Sequence, residues 1–251
     1  MGLIRFRLTV ATFLDRWEPR VRRLGEKWGW PQAWLQEFQD YLNEPRMTQE
    51  EFWVRYTLKR MDAQPLLKNT MTEAEARAFY TGHEYMLWRN LVHRRHSTWR
   101  RVLVTLCGQR GALLEMGAGI APVSAWVARR KPRWVYGLID LESPHQAYGL
   151  WRIKHSADAW WSSKVPDAAR TFDVVTALDV FEHLAKPEHI AYECVRVLKS
   201  GGYLHWNFVG NPRRNDLDLA TPEQRDETVA YLYNNLRLVW EEYGYRVSQK
   251  R

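Results

Sequence analysis

The stretch Leu113-Leu114-Glu115-Met116-Gly117-Ala118-Gly119-Ile120-Ala121 constrains this chain most. An apolar run ends on a carboxylate and breaks into a glycine turn. A helix-forming segment, Val123–Arg130, follows at once. A strand, a tight turn and a helix N-terminus in succession set a nucleotide-type ligand at the carboxyl end of a parallel strand. Gly117 and Gly119 permit the turn and let a ligand approach the backbone without a Cβ in the way. The helix N–H groups just beyond can meet a carboxylate. A dinucleotide fingerprint needs glycine three residues after the second one, where this chain has Pro122. Glu115 would repel a pyrophosphate but suits a ligand bearing an ammonium group. The alternative reading of the same residues is an ordinary strand-to-helix turn.

Downstream the pattern alternates. Strands are predicted over Ala112–Glu115, Trp134–Ile139, Phe172–Leu178 and Gly202–Val209, and helices over Val123–Arg130, Pro187–Leu198 and Thr221–Glu241. A last strand is expected at Tyr245–Ser248, and 144–161 should hold a helix and then a faint third strand around Ile153–Ala157. Such alternation predicts an α/β fold with a parallel sheet covered on both faces. Residues 1–105 read instead as a helical extension, punctuated by Pro31, Pro45 and Pro65. Capping boxes at Thr48/Glu51 and Thr72/Glu75 open helices running to about Arg60 and to about Trp88 or beyond. The sequence therefore divides into a helical lid, 1–105, and a ligand-binding domain, 106–251.

Three further features fall at strand ends. Asp140 closes Val135–Asp140, where an acid can accept from both hydroxyls of a ribose, with Glu142 as a nearby competitor. Asp158, in Ala157-Asp158-Ala159, could accept from an adenine amino group at the end of strand three, or cap a helix. The run Phe172–Leu184 is again a buried strand ending in polar groups, followed by Pro187, a helix and the paired glycines Gly201-Gly202. This order of motifs resembles the class I S-adenosylmethionine-dependent methyltransferases, most closely their small-molecule branch, over about Ala112 to Phe208. The resemblance rests on Glu115-x-Gly117-x-Gly119, Asp140, the run to His183, and Arg196–Gly202. It implies a Rossmann-like core. It also implies that Glu115, Gly117, Ala118 and Gly119 hold the methionine part of the cofactor. Asp140 and Leu141 would then hold the ribose, Asp158 and Ala159 the adenine, and Leu178 and Asp179 would face the methyl group. The family often has a third glycine where this chain has Ala121.

Methyl transfer from a sulfonium needs no metal; alignment of the reacting atoms can supply roughly 7–11 kcal/mol. His183, after the fourth strand, is the first candidate base, with Glu182 to orient it or act itself. Packing of His183 in the turn is the alternative. His205 and Asn207 share one face of the fifth strand by alternation and point toward the site or into a polar core. Tyr80 and His83 share a helix face at i, i+3, which either places them near the methionine carboxylate or the acceptor or, as the leading alternative, packs them into the core. Arg213 and Arg214 could contact an anionic acceptor from the loop after strand five, or simply be solvated. His93 and His96 also sit three apart, but the arginines between them favour a basic surface over metal ligation.

The net charge of +8 sits almost wholly in residues 1–110, at +7 against +1 for the remainder. That asymmetry suggests an anionic partner or a solvated helical surface. The two cysteines form no CxxC pattern, which argues against structural zinc or a disulfide scaffold and fits a reducing cytoplasm. Leu8–Leu14 is too short to span a membrane and is flanked by Arg5, Arg7, Asp15 and Arg16. The leading expectation is a methyltransferase acting on a small anionic or aromatic acceptor. One alternative is an RNA methyltransferase gripping nucleic acid with the basic helices. Against it, no recognised RNA-binding module appears, and Asp179-Val180-Phe181-Glu182 stands where an Asn-Pro-Pro-Tyr-type loop would be. The other is a non-catalytic binding protein that keeps the fold.

Overall fold

The computed structural model describes residues 33–66, 71–92, 106–155, 157–208, 218–242 and 244–251. Its centre is a seven-stranded sheet: β1 (Ala112–Met116), β2 (Val135–Ile139), β3 (Asp158–Ser162), β4 (Phe172–Ala177), β5 (Leu198–Asn207), β6 (Leu236–Glu242) and β7 (Tyr245–Lys250). The order is β3-β2-β1-β4-β5-β7-β6, with β7 antiparallel to both β5 and β6 and the other pairings parallel. Chain order reverses between β1 and β4, so a crevice opens beyond their carboxyl ends, where open α/β sheets bind ligands.

The eight helices described are α1 (Ala33–Leu42), α2 (Gln49–Ala63), α3 (Glu73–Gly82), α4 (Glu84–Val92), α5 (Ser124–Ala128), α6 (Pro144–Lys154), α7 (Pro187–Val197) and α8 (Pro222–Asn235). Alternate residues of each central strand face opposite layers. Leu113, Tyr136, Leu138 and Val174 pack with Val127 of α5 and Ile153 of α6. Leu114, Val175, Leu204 and Trp206 pack with Cys194 of α7 and Leu232 of α8. A third core joins the first four helices to the rest: Phe38, Phe52, Met86 and Trp88 close on Ile120 of the glycine turn and Tyr148 of α6. Glu37 of α1 adds a polar tie by pairing with both Arg129 and Arg152. Among the described residues no helix is long and apolar enough to cross a membrane.

The capping boxes at Thr48, Thr72 and Thr221 all form, each hydroxyl accepting from the N3 backbone and each N3 side chain reaching back. Three sequence expectations are corrected. The helix opened by Thr72 does not run on to Trp88. It stops at Gly82, because His83 adopts an extended backbone (φ −104°, ψ 113°), and α4 restarts at Glu84. The third strand is not Ile153–Ala157: Ile153 is buried inside α6, and β3 begins only at Asp158. The last helix ends at Asn235 rather than Glu241. Asn234 and Asn235 are poor helix formers, and Leu236–Glu242 finds a better partner in β7 through the turn at Gly244 (φ +79°).

Gly149, on α6, carries no signal in the sequence. A Cβ there would stand 2.8 Å from the Gly119 carbonyl oxygen and 3.2 Å from the Ala121 nitrogen. Those are backbone atoms of the glycine turn and cannot swing aside. The helix therefore rests directly on the turn, and Arg152 Nη1 strengthens that contact by donating to the Ile120 carbonyl at 2.6 Å. Gly149→Ala is expected to destabilise the chain by about 1–3 kcal/mol, the usual range for overpacking. Chemical denaturation would read this directly; an unchanged midpoint would show that α6 is free to move off the turn.

Candidate cofactor and acceptor site

A cleft of about 470 Å³ lies over the β1, β2 and β4 tips and under α3 and α4. It falls in the range of about 300–1,000 Å³ common to small-molecule sites. The glycine turn forms its floor. Gly117 (φ +60°) and Gly119 (φ +47°) take the left-handed conformation that glycine tolerates best. Ala121 (φ +51°) takes it too, at the position where the resembling family often carries glycine. The two glycines differ in role. A Cβ on Gly117 would strike Val180 at 2.5 Å, so this glycine serves packing. At Gly119 the nearest atoms are 3.5 Å away on Asn90 and 3.9 Å away on Asp140, which leaves the backbone open to a ligand.

Glu115 ends β1 buried at 4% exposure. Its Oε1 accepts from the Val123 N–H at 3.2 Å and its Oε2 from the Ser124 N–H at 2.7 Å. The carboxylate thus caps α5 as well as lining the cleft. Burial pushes its pKa up to about 7, against the pull of the Ser124 and Val123 hydrogen bonds and Arg152. Asp140 follows β2. Its Oδ2 accepts from the Gly119 N–H at 2.5 Å and its Oδ1 from the Leu141 N–H at 2.6 Å. Each oxygen keeps a lone pair for a ligand hydroxyl. Burial also raises this carboxyl above its ordinary value. Ala118, Leu141, Leu178 and Asp179 line the same cleft.

The β4 end carries the second group of polar residues. Phe181–His183 form a short 3₁₀ turn. His183 Nδ1 lies 3.1 Å from Asp218 Oδ1, and the Tyr80 ring of α3 sits 6.1 Å from the His183 ring. Glu182 is 5% exposed, and its backbone carbonyl accepts from the Leu219 and Ala220 N–H groups at 2.9 and 3.2 Å. The 218–220 segment is thereby pinned beside His183. Burial pushes the Glu182 carboxyl up to about 7; the nearby His183 opposes this, and Asp179 and Asp218 add to it. Asp179 stands at φ +52°, held by Asn207: the Asp179 N–H donates to Asn207 Oδ1 at 2.7 Å and Asn207 Nδ2 donates to Asp179 Oδ1 at 2.5 Å.

Several residues that the sequence offers as site candidates lie elsewhere. Asp158 and Ala159 begin β3, in register with Val135 and Tyr136 at the start of β2. They are at the opposite edge of the sheet from the cleft, so neither can meet an adenine lying there. His83 leaves the helix face expected for it and stacks on Phe79 at 5.1 Å, while Tyr80 alone lines the cleft. His205 is fully buried between Thr176 and Val247 in the sheet, beside Tyr245. Asn207 is spent on Asp179. Arg213, Arg214, His93 and His96 lie outside the described residues. Conversely, the cleft recruits Arg89 and Asn90 of α4, Asp218, and His145 at the start of α6. His145 Nδ1 is 2.8 Å from Ser143 Oγ, and burial lowers its pKa to about 4, so its ring is neutral. No local motif marks these four; only their fold positions bring them together.

Comparison with known proteins places this geometry. Residues 114–204 match the family model of the methyltransferase domain. Over those residues the chain is similar to that domain, and the strand order and the cleft at the switch point agree with the match. The chain is similar to the ubiquinone biosynthesis O-methyltransferase of Pseudomonas entomophila (strain L48), 27% identical over 121 residues, 46% of this chain and 51% of that protein. It thus spans about half the length of that curated relative. Among solved structures, an O-methyltransferase family protein from Burkholderia thailandensis superposes with a TM-score of 0.50 at 14% identity, covering 78% of this chain and 70% of that one. At that identity the likeness shows the fold. A TehB-like SAM-dependent methyltransferase from Corynebacterium glutamicum gives a TM-score of 0.49 at 15% identity, covering 72% and 100%.

The raised Glu182 carboxyl has a signed consequence. It keeps its proton to about pH 7 in the folded chain, but only to about 4.5 when unfolded. Stability is therefore lost as pH rises through that window and stays lost above it. Glu182→Gln should be more stable than wild type at pH 8, by on the order of a few kcal/mol, and melt correspondingly higher. The gap should close toward pH 4.5. A gap that widened at low pH would show that Glu182 is held ionised.

Proposed function

We propose that the chain transfers a methyl group from S-adenosylmethionine to a small-molecule acceptor, with residues 106–251 as the catalytic domain and 1–105 as its lid. The observation that carries this reading is the joining, in one cleft at the sheet's switch point, of two acid-tipped strands and an oriented His–Asp pair. The cleft fits the cofactor chemically. Asp140 is the ribose acceptor. The open backbone at Gly119 and the Glu115 carboxylate suit the amino-acid end, whose own carboxylate would meet Arg89 or Asn90 of α4. Bound there, the cofactor supplies a methyl group already activated on a sulfonium. The protein's work is therefore alignment and exclusion of water. Tyr80, packed over His183, closes the acceptor side.

His183 is the residue that takes a proton from the acceptor. Asp218 acts through it as a positioning residue, holding Nδ1 so that Nε2 serves as base. The curated relative's printed role, O-methylation in ubiquinone biosynthesis, supports a small organic acceptor for this chain.

Isothermal calorimetry with S-adenosylhomocysteine tests the cofactor half. Wild type should bind, and Asp140→Ala should weaken binding at least about tenfold through loss of its charge-assisted hydrogen bonds. Equal affinity in both proteins would remove Asp140 from the site. Once a turnover assay exists, Asp218→Asn should lower kcat about 10²–10⁴-fold, with KM little changed and the basic limb of the pH profile displaced. An unmoved pH profile would reduce Asp218 to a structural residue.

A further inference from the structure

The acceptor end of the cleft is acidic where the sequence suggested an anionic guest. Three carboxyl groups converge there: Asp179, Glu182 and Asp218. Two are engaged within the protein, Asp179 by Asn207 and Asp218 by His183. Glu182 differs. It is 5% exposed, it lines the cleft, and its Oε2 is buried with no hydrogen-bond partner among the described residues. An unmade bond on a buried carboxyl is costly, and a donor that reaches that oxygen with the ligand relieves the cost. The arginines lining the cleft, Arg77 and Arg89, come from α3 and α4.

We propose that Glu182, flanked by Asp179 and Asp218, is the recognition subsite of the acceptor, and that the acceptor presents an amine to it. This deepens the methyltransferase reading and rests on it. The charge logic separates nucleophiles. A phenolate or carboxylate would bring a further negative group to a wall already lined by three acids. An amine brings N–H donors when it binds and gains positive charge as it reacts. In that transfer the nitrogen lone pair forms the new N–C bond, the C–S pair returns to sulfur as a neutral thioether, and the proton shed by nitrogen passes to His183. Charge developing on nitrogen beside the side chains of Asp179 and Asp218 is stabilised in the transition state without reorganisation.

The test is binding, read by calorimetry on the full chain saturated with S-adenosylhomocysteine. The probes are 2-phenylethylamine, 2-phenylethanol and 3-phenylpropanoate, matched in size and differing in the polar group. The amine should bind at least about tenfold more tightly than either partner. Glu182→Gln, which keeps the shape, should erase that preference while leaving S-adenosylhomocysteine affinity unchanged. Glu182→Asp should retain part of it. Preference for the alcohol or the carboxylate, no binding of the amine, or an amine preference that survives Glu182→Gln each overturns the proposal and leaves the methyltransferase reading intact. Failure of S-adenosylhomocysteine itself to bind overturns both.

Discussion

A single buried carboxylate, Glu115, joins the first strand to everything the cleft requires. Its two oxygens take the first free N–H groups of α5, so the chain must turn sharply between Met116 and Val123. The charge is tolerable in a desolvated place because those N–H groups and Arg152 face it. Asp140 makes the matching bond from the next strand, to the Gly119 N–H. The turn is therefore braced from both sides by acids that also line the cleft. Helix α6, lying on it through Gly149, completes the brace.

The β4 tip is built by a different device. Asp179 takes a left-handed backbone, which Asp adopts more readily than most residues, and Asn207 on the neighbouring strand holds it there through two hydrogen bonds. The short turn that follows sets Glu182 and His183 side by side, and the backbone of Glu182 recruits the 218–220 segment from far along the chain. The helices from the first part of the chain then roof the cleft, anchored by aromatic contacts such as Phe38 with Trp88 and with Tyr148, both at 5.3 Å. Aromatic residues from both halves of the sequence thus meet in a shared core.

Features written in local chemistry are legible in the chain. The three capping boxes, the glycine turn, the apolar strands β1, β2 and β4, and the acid at the end of β2 each announce themselves within a few residues. The departures share a cause. The segment around β3 has mixed polarity and its strand is only half-buried, so its pattern is weak; Asp158 reads as the end of a strand that it in fact begins. The last helix reads too long because Leu236–Glu242 has apolar residues compatible with either period, and pairing with β7 decides between them. Asn207 stands out in the sequence, but its partner, Asp179, is fixed only once β4 and β5 lie side by side.

By itself the sequence determined the capping boxes, the strand, glycine turn and helix that begin at β1, and the acid that follows β2. These depend on residue type, spacing and hydrogen bonds spanning only a few positions. Tertiary structure alone decided that Asp218 meets His183, that Gly149 lies against the glycine turn, that α4 brings Arg89 and Asn90 over it, and that Glu182 is left buried with an oxygen unbonded among the described residues. Each of these is a contact or an environment created when distant segments are packed together. Its energy comes from desolvation and three-dimensional proximity, which no local pattern of residues encodes.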